Sequence, residues 1–172
     1  MMNKKIFILL LLFSTSIGAF AQDIFSAARA NDTIALKQFL KEKNKIDTTD
    51  HRGSTPLIIA VYNNNEAAAK FLLKRGAKPD APDLSGNTAM MGACFKGYLN
   101  MVMLLYQYKS DLNTLNFNGA SSLIFASTFG HSDIVKYLLA QKADKSIKDK
   151  WGKTALDYAV NQEIDEVIAL LK

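Results

Sequence analysis

Apolar side chains recur at intervals of 33 residues along most of the chain. Three such columns are Leu57, Met90, Leu123 and Leu156; Ala60, Ala93, Ala126 and Ala159; and Leu72, Leu105, Leu138 and Leu171. The first two columns are three residues apart, a spacing that places them on one face of a helix. The third column comes after a break and belongs to a second helix. We therefore predict two short helices in every interval.

Glycine and polar residues that share this interval predict a tight turn ahead of each helix pair. Their columns are Asp50, Asp83, Asn116 and Asp149; Gly53, Gly86, Gly119 and Gly152; and Thr55, Thr88, Ser121 and Thr154. An Asp or Asn side chain accepts backbone N–H groups in a turn, and glycine adopts positive φ without steric cost. Thr or Ser directly after the turn predicts a helix N-cap. A second turn, between the helices, is predicted at Asn64, Gly97 and Gly130.

The same interval divides the chain into repeats. Three full repeats span residues 50–82, 83–115 and 116–148. Residues 23–49 align as a degenerate first repeat, and residues 149–172 form a last repeat that stops after its second helix. Terminal repeats are expected to be atypical because one side of each faces water. We therefore predict that these two repeats act as caps.

A turn followed by two short antiparallel helices at this period resembles the ankyrin repeat. The residues that carry the resemblance are Gly53-Ser54-Thr55-Pro56-Leu57, Thr88-Ala89-Met90, Thr154-Ala155-Leu156, Gly76-Ala77 and Lys142-Ala143-Asp144. The resemblance implies an all-α solenoid of five 33-residue helix-turn-helix repeats with hairpin turns. One position departs from the family, which usually has histidine where this chain has Ile58, Met91, Ile124 and Asp157. We therefore expect apolar contacts to replace a polar network between repeats.

The first segment, residues 1–21, has the pattern of a cleaved signal peptide. Lys4 and Lys5 precede eight apolar residues, Ile6 to Phe13, and Ala19-Phe20-Ala21 offers small residues at the spacing of a cleavage site. A membrane anchor would need about 20 apolar residues. We predict cleavage before Gln22, which leaves residues 22–172 as the repeat domain. Such a segment predicts export, most simply to a bacterial periplasm or outside the cell.

Composition and charge narrow the classes of function. The chain has 172 residues and a formal charge of +5, and removal of Lys4 and Lys5 leaves +3. This charge is too small to indicate a nucleic-acid partner by itself. A single cysteine, Cys94, excludes an intramolecular disulfide. We expect Cys94 to be a small, partly buried packing residue, with an intermolecular disulfide as the alternative.

Candidate chemistry is scarce, and we predict that the protein is not an enzyme. The two histidines, His51 and His131, occupy different positions in their repeats. His131-Ser132-Asp133 matches the residue types of a catalytic triad, but a triad is a spatial arrangement rather than a tripeptide. No glycine-rich phosphate loop and no metal-ligand spacing is present, so no cofactor and no metal are predicted. The aspartates at the turns leave a weak calcium site as a minor alternative.

The resemblance also implies where a partner would bind. In ankyrin-like folds the hairpin tips and the outer face of the first helix line a concave surface. By register, the residues predicted to contact a partner are Arg52, Tyr62, Leu84, Phe95, Phe117, Phe129 and Trp151. Large aromatic side chains on an exposed surface are typical of interface hot spots. The alternative is that some of them fold back onto neighbouring repeats.

These observations predict a monomeric, non-catalytic module that binds another protein through its concave face. Its concrete form would be an inhibitor, immunity or accessory factor for one exported enzyme. The alternative is a peripheral protein of the envelope or membrane surface, bound through a lysine-rich last hairpin with Trp151. The lysines of that hairpin are Lys142, Lys145, Lys148, Lys150 and Lys153.

Overall fold

Ten helices, arranged in five successive pairs, account for the regular structure of the residues described. The computed structural model describes residues 23–41 and 45–172, and the predicted signal peptide lies outside these ranges. The pairs are α1 (Ile24–Arg29) with α2 (Thr33–Lys41), α3 (Pro56–Tyr62) with α4 (Glu66–Lys74), α5 (Ala89–Lys96) with α6 (Leu99–Gln107), α7 (Ser122–Thr128) with α8 (Ser132–Ala140), and α9 (Ala155–Asn161) with α10 (Asp165–Leu171). None of the helices in these two ranges is long and apolar enough to cross a membrane.

Each first helix from α3 onward begins at the predicted cap. The Thr55 hydroxyl accepts the Ile58 N–H at 3.2 Å, and Ser121 accepts the Ile124 N–H at 3.4 Å. Thr88 and Thr154 cap α5 and α9 in the same way. Such caps satisfy N–H groups that have no partner within the helix. The prediction of an N-cap in every full repeat is therefore confirmed.

The turns before these helices follow the predicted chemistry. The Asp50 carboxylate accepts the backbone N–H groups of Arg52 and Ser54, at 2.8 and 2.9 Å. Asp83, Asn116 and Asp149 make the equivalent pairs of bonds in the later repeats. Each turn is thereby a rigid loop whose side-chain acceptor points inward, toward its own backbone.

The first helices form the inner layer of the stack. Helix α3 packs against both α1 and α5, and α7 packs against both α5 and α9. Ala60, Ala93, Ala126 and Ala159 are fully buried there, because alanine lets neighbouring helices approach closely. The leucine column of the second helices is also buried. Leu156, in the last repeat described, is only half-buried.

Polar bonds between repeats are present, so the expectation that apolar contact replaces them is wrong. Met91 and Ile124 are buried as expected, and Asp157 caps its own helix. However, the Asn65 side chain donates to the carbonyls of Ala28 and Arg29 in the preceding repeat, at 2.9 and 2.8 Å. Further bonds between repeats join Asn116 to Asn87, Ser110 to Asp80, and His131 to the Phe95 carbonyl. The polar contacts have moved to other positions rather than disappeared.

Candidate partner-binding surface

The hairpin tips are joined to one another through their backbones. The Leu84 N–H donates to the Arg52 carbonyl at 3.2 Å, and the Phe117 N–H donates to the Ser85 carbonyl at 3.1 Å. The Lys150 N–H continues the series by donating to the Asn118 carbonyl at 2.8 Å. We call this line of residues, together with Trp151 next to Lys150, the tip edge. Its side chains are held at fixed spacing because their backbones are bonded.

The apolar side chains of the tip edge are exposed, although Leu84 and Phe117 also rest on the preceding repeat. Leu84, Phe117 and Trp151 are 71%, 75% and 61% exposed. A methyl group at Gly53 would lie 2.8 Å from Leu84 Cγ, so the leucine occupies the space beside that glycine. Leu84 and Phe117 therefore contact the neighbouring repeat and still present most of their area to solvent.

Three rings at the C-terminal ends of α3, α5 and α7 form a second line, which we call the aromatic row: Tyr62, Phe95 and Phe129. The Tyr62 and Phe95 rings are nearly parallel, with centroids 6.0 Å apart. Phe95 meets Phe129 edge to face at 4.6 Å. Tyr62 and Phe129 are 44% and 48% exposed, and Phe95 lies half-buried between them. Contacts between rings stabilise this arrangement of the row.

Lysines lie over two rings of this face, and the carboxylates of the turns are bonded to their own backbones. Lys96 Nζ lies 5.1 Å from the Tyr62 ring centroid, and Lys150 Nζ lies 4.5 Å from that of Trp151. Arg29 and Arg52 are exposed nearby. The turn aspartates are already bonded to backbone N–H groups, as described above. The surface therefore presents positive charge together with aromatic area.

The last turn carries the clearest electrostatic perturbation. The Tyr158 hydroxyl donates to the buried Asp149 carboxylate, and this bond is the main reason why the pKa of Tyr158 rises to about 12. Burial acts to raise the pKa of Asp149. The bonds from Tyr158, Lys153 and Trp151 outweigh burial and lower the pKa of Asp149 overall. The pair fixes α9 to its turn and stays ionised at Asp149 near neutral pH.

Two adjoining cavities open on this face. The larger, of about 860 Å³, is lined by residues of the tips and the first helices, among them Arg52, Tyr62 and Leu84. The smaller, of about 240 Å³, lies above Gly92 and is walled by Tyr62, Phe95 and Phe125. Tyr62 lines both cavities. The tips and the first helices thus enclose one continuous groove.

Comparisons with known proteins identify the repeat. A family model described as ankyrin repeats (3 copies) matches residues 24–116, and one described as ankyrin repeats (many copies) matches residues 104–159. The chain is an ankyrin repeat protein. A comparison with curated proteins found no match. Ankyrin repeats generally mediate binding to other proteins and are generally non-catalytic, and the predicted all-α solenoid is confirmed.

The residues predicted to bind a partner fall into two groups in this ankyrin repeat protein. Arg52, Tyr62 and Leu84 line the larger cavity, and Tyr62 also belongs to the aromatic row with Phe95 and Phe129. Phe117 and Trp151 lie along the tip edge. Their role in binding stays a prediction. Sequence reasoning missed Arg29, Gly92 and Phe125. The signal for Gly92 was present, because the equivalent residues of the other repeats are Ile59, Phe125 and Tyr158, so only this repeat lacks a side chain at that position.

The reactive residue types have structural roles. The His131 ring lies against Gly97, and its Nε2 is 3.2 Å from the Phe95 carbonyl, so His131 links two repeats. Cys94 is fully buried, more deeply than the partial burial expected from the sequence, and burial raises the pKa of its thiol. Within residues 23–41 and 45–172, no three His, Cys, Asp or Glu side chains are grouped so as to hold a metal ion.

The lysines of the last hairpin divide between several contacts. Lys145 donates to the Leu171 carbonyl at 2.8 Å and so caps the end of α10. Lys150 lies over Trp151, and Lys153 lies over the Tyr158 ring at 5.6 Å. All five lysines of the run remain exposed. Binding to an envelope surface through this run stays a prediction.

Proposed function

We propose that this ankyrin repeat protein is an exported module that binds one partner protein through the groove between its tip edge and aromatic row. The observation that carries the proposal is the contact series Tyr62–Phe95–Phe129, in which the two outer rings are exposed and each ring contacts the next. Ordered aromatic side chains cost little conformational entropy on association and are the usual hot spots of interfaces. Export is supported by the signal-peptide pattern of residues 1–21.

The most specific form of the proposal is an inhibitor, immunity or accessory factor for one exported enzyme. A monomer with a long exposed groove suits one-to-one capture of another folded protein, since repeat scaffolds present extended rather than pocketed surfaces. The molar mass of the purified chain, measured by light scattering, tests whether it is a monomer. The mass of the protein recovered from the exported fraction tests cleavage before Gln22.

Affinity capture tests binding itself. The full chain, tagged at its C-terminus, is expressed in the cells that naturally produce it, cross-linked, and its captured proteins are identified by mass spectrometry. The test variant combines Phe117→Ala with Trp151→Ala. Both side chains are mostly exposed, so their removal should not unfold the protein. The control variant combines Ile34→Ala with Met103→Ala, which are 72% and 41% exposed on second helices.

We expect the wild type and the control to capture one protein in equal amounts, and the test variant to lose it. A hot-spot pair of this kind carries at least about 2 kcal/mol per residue, so capture should fall by well over tenfold. Capture of the same protein by all three chains would refute the groove as the binding site. Recovery of no protein by the wild type would refute the proposed function.

A further inference from the structure

Gly92 occupies a helical position at which nothing in the fold of the chain calls for glycine. It lies inside α5, where glycine is about 1 kcal/mol less favourable than alanine. Its φ is not positive, unlike that of the turn glycines. A methyl group there would meet only Tyr62 Cδ2, at 3.6 Å, which is an ordinary van der Waals distance. Neither backbone geometry nor crowding explains the glycine.

The missing side chain leaves the smaller cavity of the groove. Equivalent positions in the neighbouring repeats carry Ile59 and Phe125. The cavity of about 240 Å³ is walled by Ile58, Tyr62, Met91, Phe95 and Phe125. This volume is below the range of about 300–1,000 Å³ that is typical of small-molecule sites. A cavity of this size, walled by rings, is suited to one large apolar side chain.

The polar rim of the cavity is already bonded within the chain. The Asp83 carboxylate accepts the N–H groups of Ser85 and Asn87, and the Thr88 hydroxyl accepts the Met91 N–H. An apolar side chain could therefore enter without leaving these groups unpaired. Hydrogen-bond recognition of a polar side chain is correspondingly disfavoured.

The charges around the cavity indicate which residues flank this apolar side chain in the partner. Exposed cations stand at Lys96 and, along the adjoining groove, at Arg29 and Arg52. Two carboxylates, Asp50 and Asp83, line the same groove and accept N–H groups of their own turns, so three cations face two carboxylates there. Complementary charge steers association and fixes register. The flanking residues of the partner should therefore be acidic.

We propose that the cavity above Gly92 receives one large apolar side chain, flanked by Asp or Glu, from the partner protein. This inference rests on the proposed function, because it specifies the chemistry of the same groove. Gly92 then serves recognition at a cost in helix stability. Restoring a side chain at this position should stabilise the fold while closing the site.

The test uses fluorescent peptides and residues 22–172, the chain that remains after the predicted cleavage. One set of peptides carries a central Phe, Leu or Trp between Glu and Asp residues. A second set replaces the central residue by Ala, and a third replaces the acidic residues by Lys. Affinities are measured by fluorescence anisotropy at low salt for the wild type, Gly92→Ala, Gly92→Ile and the control Met103→Ala.

We expect at least one acidic apolar peptide to bind about 30-fold more tightly than its Ala and Lys counterparts, the loss typical of one hot-spot contact. Gly92→Ile should abolish this preference, and Gly92→Ala should weaken it, while thermal unfolding shows both as stable as the wild type or more so. Equal affinity for the three sets, or unchanged binding by Gly92→Ile, would overturn the inference. If Gly92→Ile still captures the natural partner while Phe117→Ala/Trp151→Ala loses it, the inference about the cavity fails and the proposed function stands.

Discussion

Phe117 lies against Gly86 of the preceding repeat so closely that no side chain fits between them. A methyl group at Gly86 would lie 2.7 Å from Phe117 N and 2.8 Å from Phe117 Cδ1. Gly86 also has a φ of +79°, in the left-handed region. The glycine that makes the turn is therefore also the support on which an exposed aromatic residue of the next tip rests. Fold and candidate surface depend on the same position.

Gly86→Ala should destabilise the protein more than Gly152→Ala. Gly152 has a similar φ of +73°, but a methyl group there would meet nothing within 4 Å. The left-handed backbone alone costs about 1–2 kcal/mol with a side chain present. At Gly86 the clash with the Phe117 backbone should add about 1–3 kcal/mol. Denaturant unfolding of both variants measures the difference, and equal losses would show that Phe117 does not rest on Gly86.

Ser127→Ala should stabilise the protein. The Ser127 hydroxyl is fully buried and has no hydrogen-bond partner, whereas Val61 and Val160 occupy the equivalent positions. Removing an unpaired buried hydroxyl should raise the free energy of unfolding by about 1 kcal/mol. Ser121→Ala is the matched control, because its hydroxyl caps α7, and it should lower stability by about 1 kcal/mol. Destabilisation by both substitutions would contradict this account of Ser127.

Tyr158→Phe should lower the free energy of unfolding at neutral pH and make it less sensitive to high pH. Tyrosine has a pKa of about 10 when unfolded, and the bond to Asp149 raises the pKa of Tyr158 to about 12 in the folded protein. The stability contributed by this group is complete below about pH 10 and is lost as the pH rises from about 10 to 12. The wild type should exceed Tyr158→Phe by about 1 kcal/mol at pH 8, and the difference should shrink by pH 11.5.

The same pair predicts behaviour in acid. The pKa of Asp149 is lowered in the folded state, so its contribution is present above the ordinary value of about 4 and is lost as the pH falls below it. Tyr158→Phe removes one bond that lowers this pKa, and acid unfolding should begin at a higher pH. Tyr108→Phe, at the end of α6, is the control for removing a tyrosine hydroxyl elsewhere in the chain. Identical profiles for Tyr158→Phe and the wild type would show that the bond has no effect on stability.

Cys94 should be unreactive in the folded protein. Its side chain is fully buried and its thiol pKa is raised, while only the thiolate reacts with disulfide reagents. A colorimetric thiol assay should detect no free thiol in native protein and one per chain in denaturant. Rapid reaction of native protein would mean that α5 opens easily, and it would restore an intermolecular disulfide as a role for Cys94.

Local chemistry made most of the fold predictable. Thr55 and Ser121 cap their helices, and Asp50 bonds its own turn, through contacts within a few residues of each other. The same cap or turn residue recurs in every full repeat, so the register and the positions of the helices could be predicted from the sequence. The helix pairs lie within the predicted intervals for the same reason.

Contacts between repeats were less predictable, because they depend on how side chains meet across the stack. Asn65 and His131 stand at the same repeat position and bond the preceding first helix through different chemical groups. The repeats carry different residue types at that position, so no column of the sequence marks it. The cavity above Gly92 was missed for a related reason, since it depends on Tyr62 and Phe125 from both neighbouring repeats. The sequence predicted which residues face the surface, but not the space between them.

A photoreactive side chain in place of Phe117 tests the central claim most directly. Benzoylphenylalanine is introduced at Phe117 in one full-length chain and at Ile34, which is equally exposed but on α2, in another. Irradiation in the natural host should join the chain labelled at position 117 to one protein and leave the chain labelled at position 34 unlinked. A partner joined from position 34 and not from position 117 would contradict binding through the tip edge and the aromatic row.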